Sequence, residues 1–300
     1  MRILITGVTG QVGSALLRSL QPFGTLVPAD RSALDLSKPN ALASQLDALR
    51  PDVIVNPAAY TAVDRAEDER ELAFAINGES PGVIARWAAD RRVPLVHFST
   101  DYVFDGSGTR PWREDDQSGP LSVYGASKLA GEQAIHKAAG VRLIVRTSWV
   151  YAAQGTNFLR TIARLAGERE ELRIVADQVG APTSAACIAE ALSRIMAQEL
   201  PTLGAAFERA RHSVNVTASG STSWHGFATA IVDGLKRRGV VVKTRSVVPI
   251  ATRDYPVKAT RPHNSRLDLS RLKENFQIVP AAWDVLLDQE LDRLLAERKI

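Results

Sequence analysis

A tyrosine and a lysine four residues apart, Tyr124 and Lys128, are the pair of side chains in this sequence best suited to moving a proton. In a helix this spacing places the phenol and the ammonium on one face, one turn apart. A free tyrosine has a pKa of about 10, and a cation held nearby favours the phenolate, so we expect Lys128 to lower the pKa of Tyr124 toward neutrality. Such a pair also occurs by chance at exposed helix starts, so its position in the fold has to decide between the two interpretations.

A hydroxyl partner for this pair is expected at the end of the apolar run that begins at Leu95. Ser99 and Thr100 close that run, and because side chains alternate along a strand, only one of the two hydroxyls faces a ligand. Ligands of open α/β sheets bind at the carboxyl ends of the strands, where either Thr100 or Ser99 could present its hydroxyl to a substrate carbonyl. His97 lies in the same run and is expected to be a packed core residue rather than a catalyst.

Three glycines spaced three apart follow the first apolar run and indicate a dinucleotide-binding turn. Gly7 allows the tight turn, Gly10 lets the backbone approach a pyrophosphate, and Gly13 lets the following helix pack closely against the sheet. Asp30 follows the second strand-like run, where a carboxylate can accept hydrogen bonds from an adenosine ribose. Its charge disfavours the 2′-phosphate of NADPH, but the adjacent Arg31 can pair with that phosphate. We therefore expect NADPH or NADH as the cofactor.

Strands and helices must position these residues, and the first half of the chain alternates short β-branched runs with amphipathic segments. This alternation is typical of an α/β fold with a doubly wound parallel sheet of the Rossmann type. The pattern predicts strands at residues 2–6, 25–27, 53–56, 95–99 and 143–147. It predicts helices between them at residues 11–20, 40–49, 67–90 and 122–139. Tyr124 and Lys128 thus open the helix that follows the fourth strand.

After residue 149 the rhythm becomes irregular, which indicates a second, smaller lobe. Helices are expected at residues 157–166, 184–199, 221–238 and 282–298, with strand-like runs at 172–175, 213–216 and 246–249. Residues 1–150 would form the dinucleotide-binding core, and residues 151–300 mainly a substrate-binding lobe with segments that return to the core. No linker, repeat or low-complexity tract separates the halves, so we expect the substrate in the cleft between them.

Composition excludes several classes of protein. The 300-residue chain is 45% apolar and 23% charged, which is enough to bury a large core and excludes disorder as the dominant state. The net charge of +4 comes with short basic clusters and no interleaved aromatic residues, so no nucleic-acid partner is expected. A single cysteine, Cys187, and scattered histidines exclude a disulfide scaffold and a zinc site. No signal-peptide pattern or apolar run of roughly 18 residues is present, so we expect a cytoplasmic protein without a membrane partner.

Segments along nearly the whole chain resemble the extended short-chain dehydrogenase/reductases. Besides the glycine turn and the Tyr124–Lys128 pair, they are Asp35-Leu36, NPAAYTAVD at 56–64, STDYVFDG at 99–106, RTSWVY at 146–151, QVGAPT at 178–183 and RPHNSRLD at 261–268. The segments at 99–106 and 146–151 are similar to a narrow branch that reduces a dTDP-linked 4-ketosugar with NAD(P)H. Thr100, where many relatives have serine, supports that branch.

The resemblance implies a role for individual residues of the cofactor site. Gly10, Gln11 and Val12 would contact the cofactor phosphates, and Asp30 the adenosine ribose. The adenine would lie on Asp35 and Leu36. The side of the site that holds the nicotinamide would be lined by Ala59, Tyr60 and Thr61.

The resemblance also implies the residues that act on the nucleotide-sugar substrate. Thr100, Asp101 and Trp149 would hold the sugar nucleotide, although plain core packing also explains a tryptophan at 149. Tyr124 would donate the proton, and Lys128 would tune it and bond the nicotinamide ribose. Some relatives pair through a Mg²⁺-bridged interface, so a homodimer with Mg²⁺ at that interface is a further expectation, but no acidic cluster in the sequence marks such a site.

Two alternatives remain open at this point. A non-catalytic, cofactor-binding regulatory subunit, like that of methionine adenosyltransferase, keeps much of the same site. A reductase that delivers hydride to the opposite face would give the C4 epimer, and facial choice cannot be inferred from spacing.

Overall fold

A parallel sheet forms from the buried β-branched runs of the first half, in the computed structural model that describes residues 1–297. The strands are β1 (Arg2–Thr6), β2 (Thr25–Ala29), β3 (Val53–Asn56), β4 (Leu95–Thr100), β5 (Arg142–Thr147), β6 (Val150–Tyr151), β7 (Glu171–Val175), β8 (Val179–Gly180), β9 (Thr183–Ser184), β10 (Ser213–Asn215), β11 (Thr222–Ser223) and β12 (Ser246–Ile250). The central sheet has the order β10-β5-β4-β3-β1-β2. The other strands form short two-stranded pairs outside it.

Helices cover both faces of this sheet and build the second lobe. They are α1 (Gln11–Ser19), α2 (Leu42–Leu49), α3 (Val63–Ala66), α4 (Arg70–Phe74), α5 (Ser80–Arg91), α6 (Val123–Ala138), α7 (Phe158–Glu168), α8 (Ala185–Glu199), α9 (Leu203–Arg209), α10 (Trp224–Arg237), α11 (Ser270–Phe276) and α12 (Trp283–Glu297). A π-helical segment, Ala75–Glu79, joins α4 to α5. Short 3₁₀ turns occupy Gln21–Phe23, Pro39–Ala41, Asp101–Val103, Leu200–Thr202 and Thr252–Asp254. No helix in residues 1–297 combines the length and apolar character that crossing a membrane requires.

The strand order places a ligand crevice at the carboxyl ends of β1 and β3. The chain leaves β1 toward β2 on one side, and β3, β4 and β5 follow on the other side. In open parallel sheets the ligand lies where the order reverses in this way. The glycine turn follows β1 and the Ala59–Thr61 segment follows β3, so the fold brings both to this crevice.

Residues from the second half complete the central sheet and its core. Strand β10 pairs in parallel with β5, with Ser213 opposite Ile144. Helix α8 packs on α1, and the buried cluster beneath them combines Ile5 and Leu16 with Ile188. A separate apolar cluster, formed by α7, α10 and α12, lies under the parallel β7–β12 pair. The second half therefore contributes both to the central sheet and to a lobe of its own.

The prediction of one continuous helix at residues 67–90 is wrong. The segment contains a turn at 67–69, the short helix α4, the π-helical segment and finally α5. The predicted helix at 40–49 is α2 preceded by a 3₁₀ turn. Helices α3, α9 and α11 and the two-residue strands β6, β8, β9 and β11 were not predicted. The other predicted helices and strands agree with the structure within three residues at each end, apart from residue 298, which lies outside the described residues.

Candidate active site

The hydroxyls of Thr100 and Tyr124, which the sequence indicates as catalytic groups, lie close together at the end of β4. Thr100 ends that strand and caps the following 3₁₀ turn, its Oγ1 accepting from the Tyr102 amide at 3.2 Å. Ser122 caps α6 by accepting from the Gly125 amide at 3.2 Å, which places Tyr124 in the first turn of that helix. The Thr100 side chain lies close enough to the phenol of Tyr124 to favour a lower pKa for it. A proton donor and a second hydroxyl thus converge on one point at the carboxyl edge of the sheet.

Lys128 lies one turn further along α6, with 2% of its surface exposed. Its Nζ donates to the Phe98 carbonyl oxygen at 2.6 Å and lies 3.3 Å from Nε2 of His97. Burial lowers the pKa of Lys128 to about 8, while the charge of Glu132 acts in the opposite direction. The sequence predicted the proximity of Lys128 to the phenol but not its contact with His97.

The pKa of Tyr124 moves in the direction opposite to the sequence prediction. Burial raises it to about 12, the nearby Thr100 side chain acts against this rise, and the charge of Asp101 adds to it. The Lys128 ammonium is engaged with the Phe98 carbonyl and with His97, so its charge does not offset the burial of the phenol. The phenol is consequently protonated throughout the neutral range, which is the form that a proton donor requires.

Asp101 is buried directly beside this pair. Its Oδ1 accepts from Thr100 Oγ1 at 3.0 Å, and the side chains of Ser148 and Ser265 lie close to its carboxylate. Burial raises the pKa of Asp101 to about 6, although the nearby side chains of Ser265, Thr100 and Ser148 oppose the rise. Ser148 and Ser265 were not predicted as site residues, although both lie inside segments that carry the family resemblance.

We expect Asp101→Asn to change how stability depends on pH. The folded-state pKa of Asp101 lies above its ordinary value near 4, so the folded protein binds this proton more tightly than the unfolded chain does. The Asp101 contribution to the free energy of unfolding is therefore largest below pH 4 and is lost as the pH rises through 6, by about 3 kcal/mol for a shift of about two units. In thermal melts from pH 4 to 8, the Tm of the variant relative to that of the unmodified protein should rise by about 5 °C or more.

Asp105→Asn is the matched control for this prediction. A backbone hydrogen bond from Ser107 lowers the pKa of the exposed Asp105, so the sign reverses, and its contribution to stability is lost as the pH falls. Parallel Tm curves for Asp101→Asn and the unmodified protein would contradict a raised pKa at Asp101.

The glycine turn has the close contacts that its spacing predicts. Gly7 has a φ of +57°, and a Cβ there would lie 2.9 Å from Cα of Ala58. A Cβ at Gly13 would overlap the carbonyl oxygen of Gly7. Gln11 begins α1, with Val12 following it, so the first amides of the helix face the crevice. The chain thus has a cradle that fits the pyrophosphate of a dinucleotide.

The two acidic side chains predicted at the adenosine end lie in tight turns after β2. Asp30 Oδ1 accepts from the Ser32 amide at 2.8 Å and from the Ser32 hydroxyl at 2.6 Å, and this hydroxyl bond lowers the pKa of Asp30. Arg31 pairs with Asp35 at 3.3 Å. Leu36 packs in the core with 6% of its surface exposed. The adenine contact of Asp35 and Leu36 stays a prediction.

The segment predicted to line the nicotinamide side is held by a residue that the sequence reasoning missed. Asn77 accepts from the Tyr60 amide at 2.8 Å and donates to the Tyr60 carbonyl at 3.0 Å. Its amide also donates to Ser127 of α6 at 3.0 Å. Asn77 lies in the π-helical segment, and such segments often occur at functional sites. It links the loop after β3, which includes Ala59 and Thr61, to the helix of Tyr124.

Trp149 packs in an aromatic stack beside the site. It has a φ of +49°, and its ring stacks on Trp224 at 3.6 Å between centroids. The Phe158 ring also packs against Trp224, at 4.6 Å between centroids. Phe158 and Trp224 line a cavity of about 390 Å³ in the second lobe, together with Arg261. Neither Trp224 nor this cavity was predicted.

Arg261 connects that cavity to the catalytic end of the sheet. Its Nη2 donates to Asp64 of α3 at 2.7 Å, and its charge acts on the phenol of Tyr102. The Tyr102 ring lies edge-on to Tyr124 at 5.7 Å between centroids. The cavity and the Thr100–Tyr124 pair therefore lie on either side of Arg261 and Tyr102.

Comparison with known proteins agrees with this arrangement. The model of a family described as the RmlD substrate binding domain matches residues 1–296. The chain belongs to this family. A dTDP-4-dehydrorhamnose reductase of Burkholderia thailandensis is 48% identical over 288 residues, which cover 94% of this chain and 95% of that protein.

Solved structures of similar proteins extend the RmlD family match to three dimensions. A dTDP-4-dehydrorhamnose reductase from Clostridium acetobutylicum has a TM-score of 0.89 at 33% identity, covering 98% of this chain and all of that one. That of Bacillus anthracis, solved in complex with NADP, has a TM-score of 0.86 at 34% identity, covering 97% and 99%. The predicted doubly wound α/β fold and the predicted resemblance are confirmed. The Mg²⁺ ion expected between subunits has no support, since residues 1–297 hold no group of three or more His, Cys, Asp or Glu side chains placed for a metal.

Proposed function

We propose that this protein is an NAD(P)H-dependent oxidoreductase that reduces the C4 ketone of dTDP-4-dehydro-β-L-rhamnose to dTDP-L-rhamnose. The observation that carries the proposal is the convergence of Thr100 and Tyr124 at the carboxyl edge of β4, in the sheet whose first strand leads into the glycine cradle. The substrate follows from the RmlD family and from relatives named dTDP-4-dehydrorhamnose reductase over nearly the full length of the chain. Hydride donation is the chemistry that a bound dihydronicotinamide supplies.

The residues of the chain would handle the proton and the oxygen. Thr100 and Tyr124 would both bond the ketone oxygen, which develops negative charge as hydride adds to C4. Tyr124 would give its proton to that oxygen, so the ketone becomes an alcohol and the phenol becomes a phenolate. The Lys128 ammonium would hold the nicotinamide ribose. The Thr100 hydroxyl donates to Asp101 at 3.0 Å in the structure, so it would turn from Asp101 to the ketone oxygen when the substrate binds.

We infer that the second lobe binds the nucleotide of the substrate. The 390 Å³ cavity offers the rings of Phe158 and Trp224 for stacking on a base and the guanidinium of Arg261 for a diphosphate. Trp149, stacked on Trp224, would lie between this cavity and the sugar. This arrangement supports two functional parts, a core within residues 1–150 that binds the cofactor and a lobe within residues 151–300 that binds the substrate.

We propose that the protein uses both NADH and NADPH as reducing cofactors. Asp30 is ionised and lies at the end of β2, which favours the free ribose hydroxyls of NADH. Arg31 is exposed beside it and can leave its 3.3 Å pair with Asp35 to meet a 2′-phosphate.

The test is to mix the purified protein with the dTDP-ketosugar and NADPH and to follow the loss of dihydronicotinamide absorbance, with a ketosugar-free control and a parallel NADH titration. We expect ketosugar-dependent oxidation with both cofactors. Binding of NADPH without turnover would instead favour the regulatory-subunit alternative. Proton NMR of the product separates dTDP-L-rhamnose from its C4 epimer, and no turnover at saturating NADH or NADPH would contradict dual use.

A further inference from the structure

A row of four buried polar side chains crosses the sheet behind the catalytic helix. Thr6, Asn56 and His97 come from the neighbouring strands β1, β3 and β4, and Asn56 is directly opposite His97 in the β3–β4 register. Lys128 of α6 ends the row. None of the four is more than 2% exposed. Buried polar side chains carry a desolvation cost unless each is hydrogen-bonded, so the row must be satisfied internally.

Consecutive contacts connect the row without a gap. Thr6 Oγ1 donates to Asn56 Oδ1 at 2.6 Å, and Asn56 Nδ2 lies 3.0 Å from Nδ1 of His97. His97 Nε2 lies 3.3 Å from Nζ of Lys128. Burial, and secondarily the charge of Lys128, holds the pKa of His97 well below its usual range, so the ring is neutral. Both ring nitrogens are therefore committed, one to Asn56 and one to Lys128.

The row can satisfy either charge state of the lysine. While Asn56 donates to Nδ1, the ring carries its proton on Nε2 and the free amine of Lys128 accepts it. A charged Lys128 has no lone pair and can only donate to His97. The His97 proton must then be on Nδ1, and the Asn56 amide must be rotated by half a turn so that its oxygen accepts this proton. Nε2 of His97 is then free to accept from Nζ of Lys128. Neither change moves the ring. In both states Nε2 therefore holds Nζ in the same place.

The other end of the row is attached to the two cofactor loops. The Ala58 amide donates to Thr6 Oγ1 at 3.2 Å, directly before the Ala59–Thr61 segment. Thr6 itself immediately precedes Gly7 of the glycine turn. A leucine or phenylalanine would fill the position of His97 without any polar partner, so packing alone does not account for the histidine.

We propose that His97 is a positioning residue that, held by Asn56 and Thr6, fixes Nζ of Lys128 relative to the two loops that line the cofactor. The proposal rests on the function proposed above, because that function makes Lys128 the residue that holds the nicotinamide ribose. His97 itself does not touch substrate in this arrangement. Its effect on the reaction passes through Lys128.

Two substitutions test the roles of the two ring nitrogens of His97 separately. In His97→Asn the amide reaches the position of Nδ1 and loses Lys128, whereas in His97→Gln it reaches the position of Nε2 and keeps Lys128. We expect His97→Asn to raise the Kd for NADPH, measured by fluorescence titration, about tenfold and to lower kcat about tenfold or more, with the KM for the ketosugar unchanged. His97→Gln should stay within about threefold of the unmodified protein for both quantities. His136→Asn, at the far end of α6, is the matched control and should change neither.

A double-mutant cycle with Lys128→Met decides whether the effect passes through the lysine. In the Lys128→Met background His97→Asn should cause no further loss of kcat, whereas an independent structural role gives additive losses and overturns the proposal. Equal effects of His97→Asn and His97→Gln would also overturn it. If His97→Asn does not fold, His97→Gln decides alone, because a loss as large as that of Lys128→Met would contradict the proposal. The NADPH titration needs no ketosugar, so an inactive protein that still shows the Asn/Gln difference would refute the proposed reaction and leave the role of His97 standing.

Discussion

Replacing Tyr124 by phenylalanine is expected to lower kcat by about 10²- to 10⁴-fold, the range typical of losing a general acid. The substitution removes the hydroxyl that lies close to Thr100 and that would give the proton to the sugar oxygen. The ring remains and keeps its edge-on contact with Tyr102. Steady-state rates with the dTDP-ketosugar measure the loss, and fluorescence titration with NADPH should show binding within about threefold of the unmodified protein.

Tyr102→Phe is the matched control, because it removes a neighbouring phenol on which the charge of Arg261 acts. We expect its kcat to fall by less than about tenfold. A Tyr124→Phe variant that retains a near-normal rate would rule out Tyr124 as the acid. If both variants lost activity equally, the effect would lie in the packing of the two rings and not in proton transfer.

Arg146→Met is expected to have the largest effect on stability, about 3–5 kcal/mol. Arg146 of β5 donates to both carboxylate oxygens of Glu132 on α6, at 2.9 and 2.6 Å, and to the Glu114 carbonyl at 2.9 Å. The two charged side chains are only 6% and 3% exposed. Without the guanidinium the Glu132 carboxylate is left buried and unpaired, one turn after Lys128. Urea unfolding measures the difference.

Arg164→Met breaks the exposed pair with Glu168 and serves as the control, with an expected change within about 0.5 kcal/mol. A double variant, Arg146→Met with Glu132→Leu, should be more stable than Arg146→Met alone, because no buried charge remains. If Arg146→Met cost no more than Arg164→Met, the buried pair would not stabilise the contact between β5 and α6.

The helix predicted at 67–90 shows where local pattern fails. Its amphipathic rhythm is compatible with one continuous helix, but the structure interrupts it with the π-helical segment Ala75–Glu79. Asn77 in this segment makes two bonds to the Tyr60 backbone and one to Ser127. These partners are 17 and 50 residues away in sequence. A prediction from the local sequence of the helix therefore lacks the bonds of Asn77 to Tyr60 and Ser127, which lie outside that segment.

His97 shows the same limit at the site itself. As a residue inside an apolar strand it was expected to be core, and it is fully buried. The partners that distinguish it from a space-filling residue come from β3 and α6. The predicted lowering of the Tyr124 pKa failed for a related reason, since spacing places Lys128 near the phenol but does not reveal that its Nζ is engaged elsewhere.

Residue types and spacing were sufficient to predict the parallel sheet, the glycine cradle, the Tyr124–Lys128 pair and the family, because backbone geometry and side-chain periodicity are local properties of the chain. Tertiary structure alone decided that Asn77 holds the loop after β3, that Asp101 is buried near Ser148 and Ser265, and that β10 joins the central sheet. Those outcomes depend on burial and on contacts between segments far apart in sequence, which exist only once the strands have paired.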